Sequence, residues 1–392
     1  MREGWQIKEL GEIADIEYGF TDKATTEGDF RYIRITDIDS EGLLSDKEKV
    51  YINSTPDCQN FILSNNNLLM ARTGATFAKV LLFDGDEPSV FASYLIRIKF
   101  NGIVDHKFYW YFSKSEIYWE QANLLSSGAA QPQFNGNALK QVIFTYPKSL
   151  PEQQRIVGIL DEAFAAIAKA KANAEQNLKN AKELFESYLQ GVFEKKGEGW
   201  EEKKLGEVCK FRNGAAHEQH IYEDGKYILV NSKYISSDGE KGKRTNSALS
   251  LLHVGDIAFV MSDVPNGKAL AKCFLVDRDD TYTLNQRIGA IRSNLFDDEF
   301  LVYQFNRNKY LLGFNNGENQ TNLRKNDILN CTLYLPKMED QQTIIRKLDA
   351  LRAETQKLEA VYQQKLADLE ELKKSILQKA FAGELTDKSI AS

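Results

Sequence analysis

Apolar residues recur along two long stretches of this chain at the spacing of one helix face. The first stretch gives Ile156, Leu160, Ala163, Ile167, Ala170, Ala174, Leu178, Ala181, Phe185, Tyr188 and Val192. The second gives Ile344, Leu348, Leu351, Thr355, Leu358, Tyr362, Leu366, Leu369, Ile376 and Ala380. In the first, steps of three and four alternate, with one extra residue between Ala174 and Leu178 that reads as a stutter. Ser149-Leu150-Pro151-Glu152 has capping-box spacing with proline in the first turn, and Gly383 is placed as a C-terminal stop. Each stretch covers roughly 40 residues, or about 60 Å of helix. So narrow a stripe cannot hold an isolated helix in water. The first seam is rich in alanine and the second in leucine and tyrosine, so small residues opposite large ones fill a shared seam. Ile156, Leu160, Ile167, Leu178 and Phe185 are therefore expected to meet Leu348, Leu351, Leu358, Tyr362, Leu366 and Leu369. With a globular segment between them, the helices most simply run antiparallel, with one domain at each end of a rod.

Outside these stretches the pattern shortens. Runs such as YIRITDI (Tyr32–Ile38), KVLLF, YLIRIKF, DIAFVMS and KCFLV predict strands. Aromatics at three-to-four spacing predict helices over His106–Leu125 and Asp298–Phe314.

The chain also repeats itself. GWQIKELGEI (Gly4–Ile13) returns as GWEEKKLGEV (Gly199–Val208), and YIRIT at Tyr32 as YILVN at Tyr227. NLLMART (Asn67–Thr73) corresponds to DIAFVMS (Asp256–Ser262), and FYWYF at Phe108 to FLVYQF at Phe300. GAAQPQFNGNAL at Gly128 corresponds to GENQTNLRKNDI at Gly317, Pro147 to Pro336, and Gln153-Gln154 to Gln341-Gln342. LFESYLQGVF (Leu184–Phe193) corresponds to LKKSILQKAF (Leu372–Phe381). The frame is repeated and the contents of the globular parts have diverged. The expected fold is α+β: two similar α/β domains separated by a long antiparallel two-helix coiled coil, a pseudo-twofold internal duplication. The boundaries are residues 1–150 and 199–336 for the domains, 151–198 for the first spacer helix and linker, and 337–392 for the second helix and tail.

Composition narrows the function. A chain of 392 residues, 42% hydrophobic and 27% charged, has the make-up of a globular protein of more than one domain. No run of apolar residues is long enough to span a membrane, and the first residues lack signal-peptide character, so a cytoplasmic location is expected. The net charge of −6 is unlike that of a stand-alone nucleic-acid binder. Contacts to phosphate would come from local patches or from a partner. Cys58, Cys209, Cys273 and Cys331 are scattered without a C-x-x-C, and read as reduced thiols. His217 and His220 have no third ligand nearby in sequence. No phosphate loop, dinucleotide loop, nucleophile elbow or H-E-x-x-H is present. Glu201-Glu202-Lys203 is a short charged triplet in the linker, and no glycine-rich methyl-donor loop is visible. The chain reads as a binding architecture in which two non-identical domains on a fixed spacer read two nearby targets. Duplex DNA suits this, with half-sites about one turn, roughly 34 Å, apart. A duplicated scaffold with two protein-binding domains and a single-chain modification enzyme are the alternatives.

LPEQQRIVGILDEAF after the first domain and LPKMEDQQTIIRKLDAL after the second each place Gln-Gln-x-Ile a few residues beyond a proline. With the Gly-Trp restarts and the tandem plan, the whole chain resembles the specificity subunit of a type I restriction-modification system. The resemblance implies two target recognition domains, each reading one half of a bipartite, asymmetric site on double-stranded DNA. It implies that the helices dock two methyltransferase (M) subunits, which bring S-adenosylmethionine. Motor-nuclease (R) subunits, bringing ATP and Mg, would join through the complex. This chain itself would be non-catalytic, with no metal, no cofactor and no membrane contact.

Base reading uses Arg, Lys, Asn and Gln, and phosphates take Lys, Arg, Ser, Thr and amides. In the first half the candidates are Lys23, Arg31, Arg34, Thr36, Arg72, Thr73, Lys79, Tyr94, Gln131, Gln133 and Asn135. In the second they are Arg212, Asn213, Lys226, Asn231, Lys233, Ser262, Asn285, Gln286, Arg287, Gln320, Asn322, Arg324 and Lys325. NQTNLRKND (Asn319–Asp327) is the strongest single stretch, and Gly74 and Gly128 read as turn formers.

Overall fold

The structure, a computed structural model of the chain, describes residues 3–128, 132–217 and 221–386. It divides into two compact units, residues 1–176 with 362–392, and residues 177–361. Each unit takes part of both long helices, Leu150–Lys195 and Met338–Phe381.

In the first unit a four-stranded antiparallel sheet runs in the order Ala14–Tyr18, Leu95–Phe100, Leu68–Ala71, Val80–Leu82. Leu68–Ala71 is buried at every position because both faces are covered. Leu68 and Met70 join the aromatic core of the helices, while Leu69 and Ala71 pack with Ile33, Phe91 and Leu95. A smaller sheet holds Tyr51–Ile52, Phe30–Ile33 and Ser89–Phe91, the last two parallel. In the second unit Lys210–Asn213, Ile288–Arg292, Ile257–Val260 and Cys273–Leu275 repeat the order of the larger sheet. Tyr227–Val230 beside Tyr282–Leu284 repeats the parallel pair. The internal duplication is thus one of strand order and register, not of wording alone.

The restart motif has a physical reading, the same in both units. Gly4 and Gly199 both have φ +80°, a conformation that favours glycine, at the turn into a two-stranded ribbon. Trp5 packs edge-on to Phe108, as Trp200 does to Phe300. The leucine amide donates across the ribbon end, Leu10 to the Val142 carbonyl and Leu205 to the Cys331 carbonyl (2.9 and 2.8 Å). The next glycine lets a short helix approach: a Cβ on Gly11 would lie 2.9 Å from Lys140 Cβ, and one on Gly206 3.2 Å from Leu329 Cβ. Glu12 and Glu207 then accept the Glu9 and Lys204 amides.

Each helix start carries a buried glutamine. Gln153 Nε2 donates to the carbonyls of Ile103 (3.0 Å) and Pro147 (2.8 Å), and its Oε1 accepts the Asp105 amide (2.7 Å). Gln341 makes the same three bonds, to Leu295 (3.2 Å), Pro336 (3.0 Å) and the Asp297 amide (2.8 Å). About two turns further on, the Tyr111 phenol donates to Asp161, and that of Tyr303 to Asp349.

The helix pairing is antiparallel within each unit. In the first, Arg155 donates to the Leu385 carbonyl (2.8 Å) while Lys171, further along, meets Glu370 (2.6 Å), so one helix advances as the other retreats. Ile156 and Leu160 share a core with Leu377 and Phe381. In the second, Leu348 and Ile345 pack with Phe185, Leu189 and Val192.

Four expectations change. Glu152 places its carboxylate on Arg155 (2.8 and 2.9 Å) rather than closing a capping box. Leu358 is 41% and Tyr188 43% exposed, and Leu189 packs inward instead. The reason in both cases is two successive four-residue steps, Leu351–Thr355–Glu359 and Ala181–Phe185–Leu189, which rotate the seam past the expected residue. The two aromatic helices each break in two, because Ser115 and Asn308 cap new starts by accepting the Tyr118 and Tyr310 amides. The strand read over Tyr32–Ile38 ends at Ile33 and gives way to a 3₁₀ turn, Ile35–Asp37.

Candidate nucleic-acid interface

The larger sheet of the first unit ends in a polar rim. Strands Ala14–Tyr18 and Leu68–Ala71 finish beside the start of Leu95–Phe100, with Tyr18 opposite Ile96 and Ala71 opposite Leu95. The Arg72 amide donates to the Tyr94 carbonyl (3.0 Å), and the Arg72 carbonyl accepts the Phe134 amide (2.8 Å). Tyr18 Oη accepts the Gly136 amide (2.8 Å). Four chain segments distant in sequence are thereby fixed together, and Tyr18, Arg72, Tyr94 and Gln133 sit one on each. The Arg72 guanidinium lies over the rings of Tyr18 (5.5 Å) and Tyr94 (5.1 Å).

The second unit builds the same rim from different side chains. The Met261 amide donates to the Arg287 carbonyl (3.2 Å), and the Leu323 amide to the Met261 carbonyl (2.8 Å). Ser262 pairs with Asn322 in a short ribbon, and Gln320 Nε2 donates to Ser262 Oγ (2.7 Å). By position, Asn213, Met261, Arg287 and Asn322 replace Tyr18, Arg72, Tyr94 and Gln133. The backbone frame is common and the chemistry presented on it is not.

Of the candidates in the sequence, Arg72, Tyr94 and Gln133 come together in the first unit; Asn213, Ser262, Arg287, Gln320 and Asn322 do so in the second. Asn285 and Gln286 occupy the turn that leads to Arg287, and Arg324 and Lys325 open the helix Lys325–Leu329 just beyond Asn322. Gln131 lies outside the described residues. Sequence reasoning missed Tyr18 and Met261. The signal for Tyr18 was its place before Gly19, matching Asn213 before Gly214.

Several candidates are structural. Arg31 is 3% exposed, bonded to Asp46 (2.6 Å), the Ser45 carbonyl (2.5 Å) and Glu87 (3.5 Å), so its donors face inward and it leaves the reading set. That guanidinium holds the Asp46 carboxyl below its usual range. Arg34 is committed to Asp37 and the Glu48 carbonyl, and buried Thr73 to the Pro132 carbonyl. Asn135 and Asn231 cap helices, accepting the Ala138 and Tyr234 amides. Lys79 lines a separate cleft with Glu41, Lys114 and Lys373. Lys23, Thr36, Lys226 and Lys233 are exposed on segments flanking the smaller sheets.

Arg212 joins Arg292 on the buried carboxylate of Asp256 (2.6 and 2.7 Å). Because Arg212 is partly exposed, Arg212→Ala is expected to lower stability by about 1–2 kcal/mol, read from the urea midpoint, with DNA preference unchanged.

Among the described residues, no group of three His, Cys, Asp or Glu side chains could hold a metal ion. The cysteines are unpaired, and burial pushes the thiols of Cys209 and Cys331 up to about 12, leaving them uncharged at neutral pH.

The class these features define is a duplicated α/β binding protein, with a polar rim on each larger sheet and a paired helix in each unit. The type I restriction modification DNA specificity domain matches residues 2–179 and again 197–368, and the chain belongs to this family. Over 322 residues the chain is 26% identical to the type I restriction enzyme EcoKI specificity subunit of Escherichia coli, covering 74% of this chain and 67% of that one. It is 25% identical over 321 residues to the StySPI specificity subunit of Salmonella potsdam, covering 70% and 65% respectively. A further match, to the MjaIX specificity subunit of Methanocaldococcus jannaschii, is 30% identical over 151 residues, or 34% of each chain. The chain thus spans from about a third to two thirds of these relatives' lengths. In fold it is similar to the HsdS subunit from Thermoanaerobacter tengcongensis, with a TM-score of 0.61 at 17% identity over 97% of both chains. A chain solved in work on complex assembly and conformational transition of the type I R-M system gives 0.80 at 18% identity, over 97% of this chain and 98% of that one.

Proposed function

We propose that this chain is the DNA-specificity subunit of a type I restriction-modification complex, each domain reading one half of a bipartite, asymmetric site. The observation that carries the reading is the pair of rims: one backbone frame, two different sets of reading side chains. Two readers of one design and different contents require two different half-sites. The long helices offer exposed flanks beyond their buried seams, and these dock two methyltransferase subunits. S-adenosylmethionine is held by those partners, and ATP and Mg by motor-nuclease subunits. The chain is non-catalytic and works in the cytoplasm. Among the described residues no helix is long and apolar enough to cross a membrane. Its acidic balance fits a clamp in which the partner supplies part of the positive surface.

The test is selection from a random duplex library by this chain co-expressed with the methyltransferase subunit of its system, at near-physiological salt where non-specific binding is weak. A motif in two halves with a fixed gap is expected, and replacing residues 1–150 by another member's domain should change one half only. A folded complex that enriches nothing would move the scaffold reading to the front.

A further inference from the structure

We propose that Arg72 reads a guanine in the major groove of the half-site bound by the first unit, an assignment that rests on the function proposed above. Three observations carry it. The Arg72 main chain is tied on both sides, to Tyr94 and to Phe134, so its side chain projects from a fixed point on the rim. Its guanidinium lies over two aromatic rings, Tyr18 and Tyr94, that are themselves 42% and 53% exposed. An aromatic face takes no conventional hydrogen bond, so contact with the rings leaves the guanidinium's N–H donors without an oxygen or nitrogen acceptor there. Finally, Arg72 Nε is buried without an acceptor, and no carboxylate pairs with the guanidinium among the described residues.

The other rigidly held arginines of this unit are different. Arg31, Arg34 and Arg97 are each engaged by a carboxylate and by backbone carbonyls. Arg72 is an ordered, aromatic-braced fork with donors to spare, on an exposed rim. A planar fork of donors matches the O6 and N7 acceptors that guanine alone presents side by side in the major groove. At the matching place the second unit has Met261, which has no hydrogen-bond donor in its side chain. Its half-site is therefore not read for guanine from that position.

Arg72→Met, which installs the second unit's residue, and Arg72→Lys are compared with the parent in the co-expressed complex by library selection and by titration across salt. The expected result is a parent motif with two halves and a guanine in one of them. Arg72→Met relaxes that position and weakens the parent site roughly 5- to 150-fold, leaving the other half and the gap intact. The intact half reports that the variant is folded. Arg72→Lys keeps the charge and relaxes the same position, because a point charge does not replace a bidentate fork. Even weakening across all sequences, a salt slope reduced by about one, and full rescue by lysine would make Arg72 a phosphate contact and overturn the assignment. A parent motif left unchanged by Arg72→Met overturns it too. A parent complex that enriches no motif overturns the proposed function and the assignment together.

Discussion

Phe144→Ala is expected to lower stability by about 3–5 kcal/mol, the range for deleting a large aromatic from a packed core. Phe144 lies fully buried on the strand Ile143–Pro147. Its ring stacks on Tyr146 at 4.9 Å and 15°, and lies 4.8 Å from Phe112, 5.2 Å from Tyr109 and 6.0 Å from Phe108. Large rigid rings on all these sides cannot collapse into the space left by one benzyl group, so the cavity persists. Against a typical total of roughly 5–15 kcal/mol, such a loss is large. Phe144→Leu installs the residue that the second unit has on its matching strand, Leu333, and should cost about half as much. Urea unfolding with an unchanged slope measures both, and equal effects would mean that this ring is not central to its core.

Gln153→Ala, and separately Gln341→Ala, should each cost about 3 kcal/mol. Each truncation of these buried side chains strands one amide and two carbonyls in buried or part-buried places, at roughly 1 kcal/mol apiece. The neighbouring Gln154 and Gln342 are exposed, so their alanine variants should fall within about 0.5 kcal/mol of the parent. Midpoints of urea unfolding for the four variants test this directly. If the two glutamines of a pair proved equal, the bonds from Gln153 to Ile103, Pro147 and Asp105 would not be stabilising.

Much of this architecture was legible in the residues. The duplication could be read from Gly4-Trp5 and Gly199-Trp200, because a turn that needs positive φ and a tryptophan that must reach a core both tolerate little substitution. The helices could be read from their three-and-four spacing, and the need for pairing from a stripe too narrow to hold either helix alone. Their local phase could not. Whether Leu358 or Glu359 lies over the seam depends on an accumulated rotation of a few tens of degrees, which only packing against the neighbouring helix settles.

The candidate site divides in the same way. Sequence singled out Arg31, Arg34, Arg72 and Arg212 alike, since each is an arginine on or beside a strand. Tertiary structure separated them by bringing Asp46, Asp37 and Asp256 to three of the four. Asp37 lies three residues from Arg34, but Asp256 lies far along the chain from Arg212. An arginine that meets a carboxylate during folding spends its donors there, and one that meets only aromatic faces keeps them. By itself the sequence determined that two similar domains and two long seams exist, because periodicity and repetition are local properties of the chain. Which polar side chains remain available on each rim was decided only by the fold, because availability depends on partners that sequence distance does not reveal.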